Sequence, residues 1–177
     1  MKSNLTQYLN NKRIALLGNA KSILNKEKDF NNYQVIIRMN NGHPEGKEKF
    51  IGSRTDILVL STLLSEETIK EFNAKYVFWA TPKNRDNTKY DFYYDLVEWG
   101  NLFKKLRNNR PSTGCMIFDY LVNNVNFELL DLYGFDFWST PTWYTNSIYT
   151  AQHSPEKEKD YVMKQIEKNM RIKLRNE

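Results

Sequence analysis

Cysteine is nearly absent from this 177-residue chain. Cys115 stands alone, which excludes an internal disulfide framework and any zinc site built from several thiolates. Long apolar runs are missing too. The longest, "IALL", "ILVL" and "YVFWA", are far too short to span a bilayer. The opening "MKSNLTQYLNNKR" has no apolar stretch followed by a small-residue cleavage site, so a reducing, cytoplasmic setting is expected. There is no Walker loop, no Asp-x-Asp triplet and no His-rich cluster, so a tightly held divalent metal is not indicated. Without a Gly-x-Ser-x-Gly elbow, and with Cys115 on an apolar helix face, covalent hydrolase chemistry is disfavoured. The net charge of +5 is spread among acids, as in "KQIEKNMRIKLRNE", and no RNP, zinc-finger or helix-turn-helix signature accompanies it. Nucleic acid is therefore not the expected partner. An anionic membrane surface or a negatively charged small substrate remains.

What is present is an alternation of strand-like and helix-like segments. Strands are predicted at Arg13–Leu17, Tyr33–Arg38, Thr55–Ser61 and Lys75–Thr81, with a fifth in "FELLDLYGF" ending at Gly134. Helices are predicted from Ser65, over Tyr93–Leu106, from the Ser/Thr cap of "STGCMIFDYLVNN", and throughout "SPEKEKDYVMKQIEKNMRIKL". In the last of these Ser154 is the N-cap and Pro155 the first helical residue. The polar stretch "TPKNRDNTKYD" reads as a mobile surface loop. Strand–helix alternation of this kind predicts a single α/β, Rossmann-like domain, a mostly parallel sheet with helices on both faces. Ligands of such folds bind beyond the carboxyl ends of the strands. That rule puts Gly18-Asn19, Met39-Asn40, Tyr133-Gly134 and the start of the Ser112 helix along one edge.

Several short motifs carry chemistry. In "IALLGNAKSIL" a buried strand stops on Gly18 and Asn19 and reopens as a polar segment. Gly18 permits a tight turn and Asn19 offers an amide; a phosphate-holding turn and a plain strand-to-helix turn both fit. "RPSTG" places two hydroxyls, Ser112 and Thr113, and Gly114 at a helix start, where an anion or simply a cap could be served. His153, in "QHSPEKE", is a general-base candidate or a solvated helix-entrance residue. His43 lies in the turn "NNGHPEG", which favours the plainer reading.

As an ordered series these motifs resemble the sialyltransferases of glycosyltransferase family 29. Their large motif is matched by Gly18-Asn19, Arg38-Met39-Asn40 and Gly52-Ser53-Arg54-Thr55. Their small motif is matched by Pro111-Ser112-Thr113-Gly114 and Tyr133-Gly134-Phe135, and the very small motif, His-x4-Glu, by His153 and Glu158. The resemblance runs from about Ile14 to Leu174. Three departures stand out. The second cysteine and the signal anchor of the animal enzymes are missing, which suits a bacterial or viral version. The third motif has no histidine in "WSTPTWYTNSIYT", where Tyr144 or Tyr149 would replace it, much as tyrosines do in family 42. The span between the large and small motifs is short, which reduces the acceptor-binding elements.

The resemblance implies a GT-A-variant fold and transfer, with inversion and without a metal cofactor, of sialic acid from a CMP-sugar donor to a glycan or lipid-linked glycan. It implies that Asn19 and Asn40 bind the CMP phosphate and ribose. Ser112, Thr113 and Gly114 would receive the ribose or the sugar carboxylate, and Tyr133, Gly134 and Phe135 would flank the cytidine. His153 would be the base, with hydroxyl, amide and Lys or Arg donors in place of a metal. CMP-Kdo is the alternative donor, and an inactive nucleotide-binding homologue the alternative class. In the C-terminal helix Val162, Ile166 and Met170 share a face, for core packing or for peripheral contact with an anionic membrane.

Overall fold

In the computed structural model, which describes residues 2–148 and 152–175, seven strands form one parallel sheet. They are β1 (Arg13–Leu17), β2 (Val35–Met39), β3 (Ile57–Leu60), β4 (Tyr76–Trp79), β5 (Phe92–Tyr93), β6 (Leu129–Tyr133) and β7 (Ile172–Arg175). Their order across the sheet is β5-β4-β3-β2-β1-β6-β7. The helices are α1 (Lys2–Leu9), α2 (Glu48–Ile51), α3 (Glu66–Glu71), α4 (Leu96–Lys105), α5 (Thr113–Asn124) and α6 (Pro155–Lys168).

Central strands of a sheet covered on both faces need apolar side chains at every position. Along β1, Ile14 and Leu16 enter a core shared with α1, α4, α5 and α6, whereas Ala15 and Leu17 enter the opposite core beside α2. Leu58, Leu60 and Trp79 extend that second layer, with Phe72 just after α3. Helix α5 is the most deeply set: Gly114 through Leu121 are all buried. Its first turn is closed by Ser112, whose hydroxyl accepts the Cys115 N–H at 3.2 Å. Among the described residues no helix is long and apolar enough to cross a membrane.

With few glycines, the chain makes its left-handed turns mainly with asparagine: Asn11, Asn40, Asn73, Asn84, Asn108 and Asn146 all have positive φ. Chain order matters more for the site. The strands proceed outward from β1 to β5, and the chain then returns to pair β6 on the other side of β1. The reversal makes a crevice at the carboxyl ends of β1 and β6, the usual ligand position in such sheets.

Three expectations need correction. The C-terminal helix stops at Lys168, and Ile172–Arg175 pairs with β6 as the edge strand β7. The pattern changes there from helical spacing to alternation, with Ile172 buried and Lys173 exposed. Met170 therefore leaves the apolar stripe and is 90% exposed, while Val162 is buried and Ile166 packs on the core. That face of α6 is core. Finally, Phe92–Tyr93 is a two-residue strand, so α4 starts only at Leu96, capped by Asp95.

Candidate active site

Two turns cross at the reversal. The Gly18 N–H donates to the Tyr133 carbonyl at 2.7 Å, and the backbones then touch. A Cβ on Gly18 would lie 2.3 Å from the Gly134 oxygen; one on Gly134, where φ is +66°, would lie 2.9 Å from the Gly18 oxygen. Neither position has room for a side chain. Gly114 serves the same end differently: its bare Cα lets the Phe135 ring press on the first turn of α5, where a Cβ would meet that ring at 3.0 Å.

Around this crossing lies a cavity of about 430 Å³. Gly18, Asn19, Asn40, Ser112, Thr113, Gly114, Gly134, Phe135, Tyr144 and His153 all border it. Thus residues from four separate sequence motifs meet at one place. Tyr133 does not. It is the last residue of β6 and points to the opposite layer, where its hydroxyl lies 2.8 Å from that of Tyr33 and its ring stands edge-on to Phe30. Period-two alternation puts Tyr133 on the face of Leu129, and the positive φ of Gly134 breaks the pattern before Phe135, which packs on the other layer. Tyr149 lies outside the described residues.

Hydrogen bonding separates engaged groups from available ones. Asn40, held in the left-handed region, accepts the Ser61 N–H through Oδ1 at 2.9 Å and donates through Nδ2 to Thr113 Oγ1 at 3.1 Å. Its amide ties the ends of β2 and β3 to the first turn of α5, rather than being left for a ligand. Ser112 is engaged as well: its N–H and its hydroxyl both donate to the Glu158 carboxylate, at 2.7 and 2.6 Å. The backbone N–H groups of Thr113 and Gly114 have no partner among the described residues, so they are the open donors of this helix N-terminus. Asn19 donates through Nδ2 to the Met39 carbonyl at 3.0 Å and to the Tyr144 hydroxyl at 3.3 Å. Tyr144 thus accepts a bond at its oxygen, and its own proton is available to donate. Burial holds that phenol above its ordinary pKa, so it stays protonated at neutral pH.

His153 sits half-buried just before α6. Its Nδ1 lies 2.9 Å from the Arg110 carbonyl, which only a ring N–H can satisfy. Nε2 is then the nitrogen with a lone pair. Burial pushes the imidazole below its ordinary pKa; the carbonyl bond opposes this, and the nearby Arg110 charge adds to it. Glu158 is 3% exposed, and its burial raises the carboxyl to about 7 against the two Ser112 bonds. Among the described residues no Lys or Arg borders the cavity, where basic donors were expected. Among the described residues no group of three His, Cys, Asp or Glu side chains could hold a metal ion.

Arg38 has a different task. It is buried on the far layer and donates to the carbonyls of Ile51, Gly52 and Arg54 and to Thr55 Oγ1. Desolvation brings it down to about 10, so it stays charged. The Arg-x-Asn and Gly-Ser-Arg-Thr motifs are therefore joined through Arg38, a clamp on backbone. His43 is remote in role, with Nε2 3.2 Å from the Glu71 carbonyl.

In the segment after β6 sequence reasoning singled out Tyr144 and Tyr149 but missed residues before them. Asp136, Phe137, Trp138, Thr140 and Thr142 also border the cavity. Phe137 and Trp138 adopt φ of 53° and 61°. This left-handed geometry costs an aromatic residue about 1–2 kcal/mol. It is held by Asp136, whose Oδ2 accepts the Thr140 N–H, the Thr140 hydroxyl and the Ser22 hydroxyl. The aromatic content was visible; the backbone conformation was not.

The fold is that of the sialyltransferases of known structure. A mammalian sialyltransferase in complex with Gal-beta-1-3GalNAc-ortho-nitrophenol aligns with a TM-score of 0.63 at 16% identity, over 97% of this chain and 71% of that one. A variant of the sialyltransferase CstII in complex with CMP aligns at 0.62 and 17%, over 92% and 80%. CstII from Campylobacter jejuni, in complex with the substrate analogue CMP, aligns at 0.56 and 19%, over 92% and 78%. No protein-family profile and no curated protein matches the sequence.

Proposed function

We propose that this protein is an inverting glycosyltransferase that moves sialic acid, or a related keto-acid sugar, from a CMP donor to a glycan hydroxyl. One observation carries the reading: the β1 turn, the first turn of α5, Phe135 and His153 border a single cavity in a fold whose solved examples include CMP complexes. In this reading the CMP phosphate lies against the Thr113 and Gly114 amides, where the helix dipole favours an anion. The Tyr144 hydroxyl, itself held by the Asn19 amide, completes its donors, and Phe135 walls the cytidine. Neutral, preorganised donors stabilise the departing charge, and no metal takes part.

The acceptor hydroxyl attacks the anomeric carbon as the bond from that carbon to the phosphate oxygen breaks. CMP leaves with the electron pair, and Nε2 of His153 takes the hydroxyl proton. Because Nδ1–H is already given to the Arg110 carbonyl, the neutral ring keeps its lone pair on Nε2. The acceptor, free or lipid-linked, and a cytoplasmic setting belong to the same proposal.

The test is acceptor-dependent CMP release. The protein is incubated with CMP-sialic acid or CMP-Kdo and a glycan panel. Release that requires both donor and acceptor supports the reading, and the preferred donor identifies the sugar. CMP binding by calorimetry without release from either donor overturns it in favour of an inactive nucleotide-binding homologue.

A further inference from the structure

We propose that Trp138 is a positioning residue for His153, laid against the imidazole by the left-handed turn that Asp136 holds. The inference rests on His153 being the base. Its support is geometric. The indole and imidazole rings lie 5.7 Å apart, centroid to centroid, and 19° from parallel, a stacked pair. A single hydrogen bond from Nδ1 to the Arg110 carbonyl fixes one point of the ring but leaves it free to swing about that bond. A flat partner on one face removes the swing, so Nε2 is held in one plane.

The turn explains how the indole gets there. Two successive bulky residues with positive φ are unfavourable, and such strain persists where the surroundings over-determine it. Here the Asp136 carboxylate binds Thr140 and Ser22, while the Asp136 carbonyl accepts the Ser139 N–H and hydroxyl at 3.1 and 2.6 Å. A Trp in ordinary backbone geometry would be packed more cheaply elsewhere. The strained conformation puts its ring over the one histidine that borders the cavity.

The other ionisable groups bordering that cavity are Cys115, Asp136, Tyr144 and Glu158; the cation beside the imidazole is Arg110, whose guanidinium is held by the Gln152 side chain. Trp138 is the aromatic ring that meets the imidazole among the described residues. Removing the indole should thus loosen and hydrate the imidazole without altering its charged neighbours.

The experiment uses the full chain, in which His43 and His153 are the only histidines. A His43→Gln variant assigns the two sets of imidazole C–H signals by NMR. In the wild type, the His153 C–H signals should show an upfield ring-current shift. Trp138→Leu should abolish it and move the His153 pKa toward its ordinary value. It should also lower kcat on the order of 10–100-fold, as expected for a misplaced catalytic group. Trp138→Phe, which keeps a flat ring, should recover most of both signals. Asp136→Ala should reproduce the Trp138→Leu spectrum if the carboxylate acts through the indole. Unchanged His153 shifts and pKa in folded Trp138→Leu overturn the inference. If the wild type shows no acceptor-dependent transfer, or His153→Ala stays active, the proposed function falls instead; the NMR titration reports ring placement independently of that result.

Discussion

Glu158→Gln separates a buried charge from a buried hydrogen-bonding group. The wild-type carboxyl is 3% exposed and accepts both the N–H and the hydroxyl of Ser112, with no cation paired to it among the described residues. Desolvation raises it from 4.5 to about 7. The folded protein therefore holds this proton more tightly than the unfolded chain. The resulting stabilisation is fully present below pH 4.5 and is lost as pH climbs through 7. At 1.36 kcal/mol per unit, the difference between the two limits is about 3 kcal/mol. Glutamine keeps the oxygen that accepts the Ser112 N–H and cannot ionise. Urea unfolding of both proteins at steps from pH 4.5 to 8.5 gives a difference curve in which other groups cancel. The variant should gain on the wild type as pH rises, by up to about 3 kcal/mol across the range. Parallel curves would show that Glu158 does not titrate there, and the argument from its burial would fail.

His153→Ala should lower transfer by about 10²–10⁴-fold while calorimetric CMP affinity stays within a few-fold. In the wild type the acid limb of kcat against pH should fall below 6.5, because burial lowers the imidazole pKa. Gly18→Ala should destabilise by about 2–3 kcal/mol in urea titration, since its Cβ would meet the Gly134 oxygen at 2.3 Å and both partners are backbone. Arg38→Met should cost about 3 kcal/mol, measured the same way, by leaving three carbonyls without their shared donor. A loss below 1 kcal/mol would mean that the 51–55 loop is held by other contacts.

Local chemistry made much of the fold legible. Four-residue apolar runs mark strands buried on both faces, and the Ser65 and Ser112 caps mark helix starts because their hydroxyls satisfy first-turn amides. The edge strands β5 and β7 were hidden. Two residues at Phe92–Tyr93 carry no readable period, and Ile172–Arg175 follows α6 so closely that Val162, Ile166 and Met170 mimic one continuing helix. In the site, the turn residues Gly18, Asn19, Gly114 and His153 could be read because their side-chain chemistry is unusual at those points. Tyr133 misled, since proximity to Gly134 does not decide which face of β6 a side chain takes. Glu158 was visible as a motif but not as the partner of Ser112, 46 residues away in the chain. Asp136 and Trp138 lay beyond reach because tertiary contacts impose the left-handed turn against local preference.

The most direct test of the central claim is a crystal structure of the protein soaked with CMP. The account requires the phosphate within hydrogen-bonding distance of the Thr113 and Gly114 amides, the cytidine beside Phe135, and Nε2 of His153 turned toward the phosphate side where the sugar would be attached. CMP bound elsewhere, or bound here with His153 turned away from that phosphate, would contradict it.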